Sequence, residues 1–172
     1  MREGAEDDYD VALVAIYFIR HATAGLRQGF LGDDLARPLD DFGRRQAEQI
    51  AIDLADEPIT KVLSSSAERC ISTVAPLALA MGLEVEVNEA LTEGSPRGAA
   101  AALITSLGTT TAALCSHGDV IPATIQELMR DGMRITGARH CEKGSIWRFD
   151  LRGTDIVTGT YLGIPAGVAS HG

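Results

Sequence analysis

Nine residues, Val11-Ala12-Leu13-Val14-Ala15-Ile16-Tyr17-Phe18-Ile19, run apolar without a break and stop at an adjacent Arg20 and His21. The run is too short to cross a membrane and reads as a strand buried on both faces. Small residues and a glycine follow it, so the chain turns away at the strand's carboxyl end. In an open α/β sheet that rim is where ligands bind. An arginine there is a fork for an anion, and a neighbouring histidine is a nucleophile or base. A surface arginine beside a capping histidine explains this stretch equally well, so the other strand ends must decide.

The pattern predicts strands alternating with helices. After a loop over residues 25–40, Asp40 or Asp41 caps a helix with an apolar stripe of Phe42, Ala47, Ile50 and Leu54, and Pro58 lies past its end. Lys61 to Ser64 is a short strand. A helix from Ala67 to Met81 stops at Gly82 and is bent or split by Pro76. Residues 84–87 alternate as a half-buried strand. Ser95 caps a helix reaching Leu107, with Pro96 in its first turn. Residues 110–116 form a buried strand, and a helix over residues 119–129 follows. Residues 145–151 and 156–161 close the chain as a hairpin around a Gly-Thr-Asp turn. The expected fold is α/β: a three-layer α/β/α sandwich around a mainly parallel sheet. One domain spans residues 11–162, between a disordered segment 1–10 and a flexible tail 163–172. The stripe Leu54, Leu77, Leu79, Leu103 and Leu128 is core.

The other junctions carry chemistry. Arg69 falls in the first helical turn after the second strand, Glu89 and Glu93 follow the third, and His117 follows the fourth. On a parallel sheet these share one rim with Arg20 and His21, in front of helix N-termini that favour anions. No Walker or dinucleotide glycine loop appears, nor a metal motif; Cys70, Cys115 and Cys141 are odd in number, lack metal-ligand spacing and read as buried thiols of a cytosolic protein. The expectation is no metal and no cofactor. A formal charge of -9 argues against a nucleic-acid surface and requires any phosphate site to be locally basic. No signal peptide or membrane span is visible, which reads as cytoplasmic.

Two arginines and two histidines without a metal suit phosphoryl transfer through a histidine nucleophile. The loose transition state spreads charge over three equatorial oxygens that guanidinium forks match. A carboxylic acid then serves the leaving oxygen.

The chain resembles the histidine phosphatase (phosphoglycerate-mutase-like) superfamily. The matching motifs are Ile19-Arg20-His21-Ala22-Thr23, Arg37-Pro38-Leu39-Asp40, Gly43-x-x-Gln46-Ala47, Ser64-Ser65-Ser66-Ala67-Glu68-Arg69-Cys70-Ile71-Ser72-Thr73, Leu91-Thr92-Glu93-Gly94, Cys115-Ser116-His117-Gly118 and Lys143-Gly144-Ser145-Ile146-Trp147. Within the family the phosphatase half of mycobacterial MutT-type Nudix hydrolases is most similar, and small bacterial phosphohistidine phosphatases come next. The resemblance implies that His21 is the phosphorylated nucleophile and that Arg20, Arg69 and His117 hold the phosphoryl group. It makes Glu93 the general acid/base, with Glu89 as the alternative. The substrate implied is a phosphorylated small molecule or nucleotide, with a phosphohistidine protein as the alternative. A reading of another class is a non-catalytic phosphate-binding or partner module, working beside a separate Nudix hydrolase.

Arg27 is a candidate phosphate contact, with a solvent-facing role as its alternative. Asp33 and Asp34 read as turn formers, Arg37 as the pin of its loop, and His140 and His171 as surface residues. Asp119, where relatives carry lysine, reads as a cap for the following helix that weakens anion binding there.

Overall fold

The computed structural model describes residues 14–168. The expectations for segment 1–10, for the first three residues of the apolar run and for His171 lie outside the described residues, as do the last four residues of the tail.

Strand β1 (Val14–Arg20) is the centre of the sheet. Its side chains alternate between two cores. Val14, Ile16 and Phe18 pack with residues such as Ile104, Ile121, Trp147 and Phe149, while Ala15, Tyr17 and Ile19 pack with Ile50, Val74 and Leu77 on the other face. This two-sided burial is why the run is apolar at every position rather than at every second one. The chain continues through α1 (Asp41–Asp53), β2 (Lys61–Ser64), α2 (Glu68–Met81), β3 (Val85–Val87), α3 (Ala99–Ser106), β4 (Ala112–Ser116) and α4 (Val120–Arg130). It ends with β5 (Arg134–Thr136), β6 (Ile146–Arg152) and β7 (Asp155–Gly163). The sheet order is β3-β2-β4-β1-β6-β7-β5. Strands β3, β2, β4 and β1 run parallel, β6 is antiparallel to both its neighbours, and β5 pairs parallel with β7. Helices α1 and α2 cover one face and α3 and α4 the other, so the three-layer α/β/α sandwich around a mainly parallel sheet is the architecture observed.

Several local expectations need correction. Helix α2 is continuous through Pro76 and ends at Gly82, whose φ of 67° gives the left-handed cap. Helix α3 begins at Ala99 rather than beside Ser95, because Gly98 at φ 82° interrupts the chain just before it. The Ser95 hydroxyl donates back to Ala90 O instead (3.1 Å). Leu79 is 82% exposed; it sits two residues from buried Leu77, on the opposite side of the helix. Strand β3 is an edge whose Val87 faces solvent. The three-residue β5 carries no apolar alternation long enough to signal a strand. Cys70 and Cys115 are buried, whereas Cys141 is half-buried. Strand β7 runs to Gly163, and a turn at residues 165–168 follows. Among the described residues no helix is long and apolar enough to cross a membrane.

Helix α1 is capped as expected: the Asp40 carboxylate accepts from Gly43 N (2.7 Å). It then packs so closely on the chain after β1 that a Cβ on Gly43 would lie 1.9 Å from Thr23 O. That oxygen is backbone and cannot swing aside. Gly43→Ala is therefore expected to destabilise by about 1–3 kcal/mol despite alanine's better helix propensity. Thermal melts should show a drop of roughly 2–4 °C per kcal/mol. Gly25→Ala, with nothing within 4 Å of its Cβ, should stay within about 0.5 kcal/mol of the parent. Equal melting of Gly43→Ala and the parent would mean α1 backs away from Thr23 freely.

Candidate active site

The pairing register brings the site together. Arg20 lies opposite Ser116, and Ser64 opposite both Cys115 and Val87. The residues that follow these strand ends, His21, Ser65 and His117, therefore leave the sheet side by side. His21 N donates to Ser116 O (3.0 Å) and Ser65 N to Cys115 O (3.1 Å), extending the ladder by one rung. The two imidazoles meet edge to face with centroids 5.4 Å apart.

The chain around His21 is held from three sides. Ala22 N donates to Thr73 Oγ1 of α2 (2.9 Å). Thr23 gives both its N–H and its hydroxyl to Gln46 Oε1 of α1, each at 2.9 Å, and Gln46 Nε2 donates on to Lys143 O (2.9 Å). Gly144 N, just before β6, donates to the carbonyls of Arg20 and His21 (3.1 Å each). Gly144 has φ 79°, and a Cβ there would lie 2.5 Å from Gln46 Nε2, so only glycine fits. The His21 ring itself has Nδ1 2.8 Å from Ala22 O. A carbonyl only accepts, so Nδ1 carries the proton and the lone pair lies on Nε2. On His117 the partners are Ser65 Oγ at Nε2 (2.8 Å) and Arg69 Nη2 at Nδ1 (3.5 Å).

Two guanidinium groups flank the histidines. Arg69 is 1% exposed, yet its Nη1 donates to Asp34 O (2.8 Å) and its Nη2 lies near Glu93 Oε2 (3.1 Å) and Asp34 Oδ2 (3.3 Å). Arg20 Nη1 donates to Cys141 O, and its guanidinium lies so flat on Gly118 that a Cβ there would fall 2.7 Å from its Cζ. That is a physical reason for glycine after His117. The Nε atoms of both arginines are buried and have no hydrogen-bond partner among the described residues.

Most of the residues singled out in the sequence converge here. Arg20, His21, Arg69, His117 and Glu93 lie together, while Glu89 is exposed at the start of a short 3-10 turn, Glu89–Leu91. Arg27 does not simply face solvent: its Nη2 donates to Asp34 (3.0 Å) and Glu93 (3.2 Å), although the side chain is 63% exposed. Asp33 forms the expected turn, accepting from Leu35 N (3.0 Å). Asp34 does more. Its carboxylate meets Arg27, Arg37 and Arg69, and hydrogen bonds from Arg27 and Arg37 hold it far below the usual carboxylate range. The signal for it was the Asp34-x-x-Arg37 spacing, which a helical turn converts into an ion pair. Arg37 does pin its loop, through Asp34 (2.8 Å) and Gly25 O. Gln46, Ser65 and Thr73 stand within motifs of the family resemblance, but as buried polar residues inside helical and turn patterns they suggest no role of their own. His140 is exposed but has a companion, the Tyr161 ring 5.7 Å away.

The cap expected of Asp119 is not made. The residue already has helical angles, φ -89° and ψ -40°, which turn its side chain away from the N–H groups of the first turn. Its Oδ2 instead accepts from Gly94 N (2.9 Å).

Behind His117 lie two thiols. Burial pushes the Cys70 thiol up, but hydrogen bonds with Cys115 and His117, together with the charges of His117 and Arg69, outweigh it and bring it down to about 6. Cys70 Sγ is 3.5 Å from His117 Nε2. Burial raises the Cys115 thiol well above its ordinary value. Among the described residues no group of three or more His, Cys, Asp and Glu side chains could hold a metal ion.

A profile of the histidine phosphatase superfamily (branch 1) matches residues 16–98. The 8-oxo-(d)GTP phosphatase of Mycolicibacterium smegmatis is 32% identical over 158 residues, 87% of this chain and 48% of that protein. The chain thus spans about half the length of that curated relative. Among solved structures, the protein histidine phosphatase SixA complexed with tungstate superposes with a TM-score of 0.71 at 21% identity, covering 88% of this chain and 97% of that one. A mycobacterial glucosyl-3-phosphoglycerate phosphatase does so with a TM-score of 0.65 at 15% identity, over 90% of this chain and 100% of that one. At these identities the two superpositions establish the fold.

Burial, reinforced by the charges of His117, Arg69 and Arg20, pulls His21 down to about 3, against the hydrogen bond to Ala22 O that favours its protonated form. The ring should therefore stay neutral in the folded protein from about pH 7 to about pH 5, well past the ordinary histidine value of about 6.5. Unfolding restores that ordinary value, so the unfolded chain takes the proton first. The contribution is fully present above about pH 6.5 and is lost as pH falls toward 3, at up to about 1.4 kcal/mol per pH unit. An NMR titration of labelled His21 checks this; a midpoint near 6.5 would contradict it.

Proposed function

The chain belongs to the histidine phosphatase superfamily, and from that premise we propose that it is a metal-independent phosphohydrolase working through phosphorylated His21 on a phosphorylated small molecule or nucleotide. The observation that carries this reading is the pair of buried, unpartnered Nε–H groups on Arg20 and Arg69 beside a neutral imidazole. A buried donor without an acceptor is rare and costs about 1–3 kcal/mol. A phosphoryl group offers the missing acceptors in the fork geometry that guanidinium groups match.

In the first half-reaction the His21 Nε2 lone pair attacks phosphorus, and the bond to the leaving oxygen breaks. Arg20, Arg69 and His117 hold the three equatorial oxygens as charge develops on them. The incoming anion takes the place of the Glu93 carboxylate on Arg69. Glu93, released from Arg69, takes up the proton of the monoanionic phosphate group and passes it to the leaving oxygen. In the second half-reaction water attacks phosphorus and the phosphorus–nitrogen bond breaks. Glu93 takes the water's proton, and inorganic phosphate departs. Arg27 follows Glu93 at the mouth and meets the rest of the substrate. The role of the M. smegmatis relative makes nucleotides the first substrates to try.

A phosphohistidine side chain on another protein is the second reading. It is favoured by Leu26, Leu31 and Leu35, all exposed on the loop that also carries Arg27 and Asp34. Apolar side chains left uncovered at the mouth of a site suit a protein face. A panel of nucleotides, phosphate esters and phosphohistidine proteins separates the two.

His21→Ala is expected to abolish turnover while leaving the fold intact. Rapid quench with labelled substrate should trap acid-labile phosphate on the parent and none on the variant, and equal label on both would overturn the mechanism. Glu93→Gln should slow phosphorylation by alkyl phosphates about a hundredfold or more, within the range for a lost general acid. An activated aryl phosphate needs little protonation and should lose far less. Equal losses in single-turnover phosphorylation would remove Glu93 from that role.

A further inference from the structure

We propose that Asp119 is a positioning residue for Glu93, holding the acid's loop at a fixed distance from His117; this rests on the reading of Glu93 as the general acid. Residues Thr92 to Ser95 form a four-residue turn closed by Ser95 N donating to Thr92 O (2.9 Å). Gly94 has φ 76°, and no described residue other than glycine has a positive φ, so Glu93 has a negative one. That combination is a type II turn, with Glu93 at its second position and Gly94 at its third. Type I and type II turns differ by a flip of the central peptide, here the Glu93–Gly94 unit, and glycine permits either. The flip would swing the Gly94 N–H through a large angle, away from Asp119, and loosen the tie on the loop that carries Glu93.

Only one side chain reaches that N–H among the described residues, Asp119 Oδ2 at 2.9 Å. The bond can be made only in the flipped, type II state, so Asp119 selects the turn. The other end of the same loop is tied down by Ser116, whose Oγ donates to Leu91 O (2.6 Å). Ser116 ends β4, and His117 and Asp119 lie on the short connection from it to α4. The segment that places His117 against the phosphoryl group therefore grips the Glu93 loop on both sides. A two-residue step in the sequence thereby sets the spacing between the phosphate clamp and the acid.

The alternative is that Asp119 acts only through its charge, by repelling an anionic substrate. The two accounts predict opposite signs. Single-turnover phosphorylation of Asp119→Ala, Asp119→Asn, Glu93→Gln and the Glu93→Gln/Asp119→Ala double variant should be measured with an alkyl phosphate and with 4-nitrophenyl phosphate. Positioning predicts that Asp119→Ala loses about tenfold in rate with the alkyl phosphate, part of the general-acid contribution, and less than about twofold with the aryl ester. Asp119→Asn should retain most of the rate, since its amide oxygen accepts the same N–H. In the Glu93→Gln background, Asp119→Ala should add no further loss. Melting temperatures serve as the control for folding, and Asn carries the test if Ala melts early.

Faster reaction of both Asp119 variants with anionic substrates would overturn the proposal in favour of charge repulsion. So would a loss in Asp119→Asn equal to that in Asp119→Ala, or an equal loss with both esters. If Glu93→Gln itself shows no dependence on the leaving group, the acid reading fails. If Glu93→Gln shows it and Asp119→Ala does not, the positioning reading alone fails.

Discussion

The site depends on the burial of one guanidinium. Arg69 projects from the first turn of α2 into a space with 1% of its surface exposed, where an uncompensated charge would cost several kcal/mol. Compensation comes from loops rather than from the sheet. Asp34 supplies a carbonyl and a carboxylate, Glu93 a second carboxylate, and His117 a ring nitrogen. Two loops distant in sequence are therefore drawn to the same point by a single cation. The arrangement leaves the Nε–H of that cation without a partner among the described residues, so the resting site is neutralised but not saturated.

This division of labour explains what could be read from the residues alone. The apolar run to Ile19, the alternation of elements and the helix stops at Gly82 and Pro58 follow from burial and backbone chemistry, and the sheet and its rim follow from them. Arg20, His21, Arg69 and His117 are legible because each stands at or directly after a strand end or in the first turn of a helix. Asp34 is not, because turn-forming and ion-pairing aspartates look alike until the partner's position is known. Asp119 was misread for a related reason. Its place at a helix start suggested a cap, but helical angles at that residue sent the carboxylate across to another loop. Leu79 is exposed because it lies on the opposite helical phase from Leu77, which the leucine itself does not reveal.

Buried polar side chains form a second layer whose contacts no motif announces. Gln46 bridges Thr23 to Lys143, and Thr73 holds Ala22 while donating its hydroxyl to Arg69 O (2.6 Å). Each satisfies backbone groups that the sheet cannot reach once the chain leaves β1. The position of the His21 ring is thus a property of α1, α2 and the entry to β6 together. Rigid elements, rather than the loops, locate the nucleophile, while the carboxylates that must shift for substrate ride on loops.

The antiparallel strand β6 gives the molecule two ends of different character. Because β6 enters the sheet at the rim where β1 leaves it, the Arg152 to Asp155 turn lies at the opposite rim, about seven strand residues or roughly 23 Å from the His21 end. Gly153 in that turn has φ 62° and is best left as glycine, but Arg152, Thr154 and Asp155 beside it are exposed. The turn is an attachment point insulated from the chemistry. A fluorophore, an affinity handle or an inserted reporter placed there would ride on the same rigid sheet as the nucleophile without reaching the mouth through which substrate must pass.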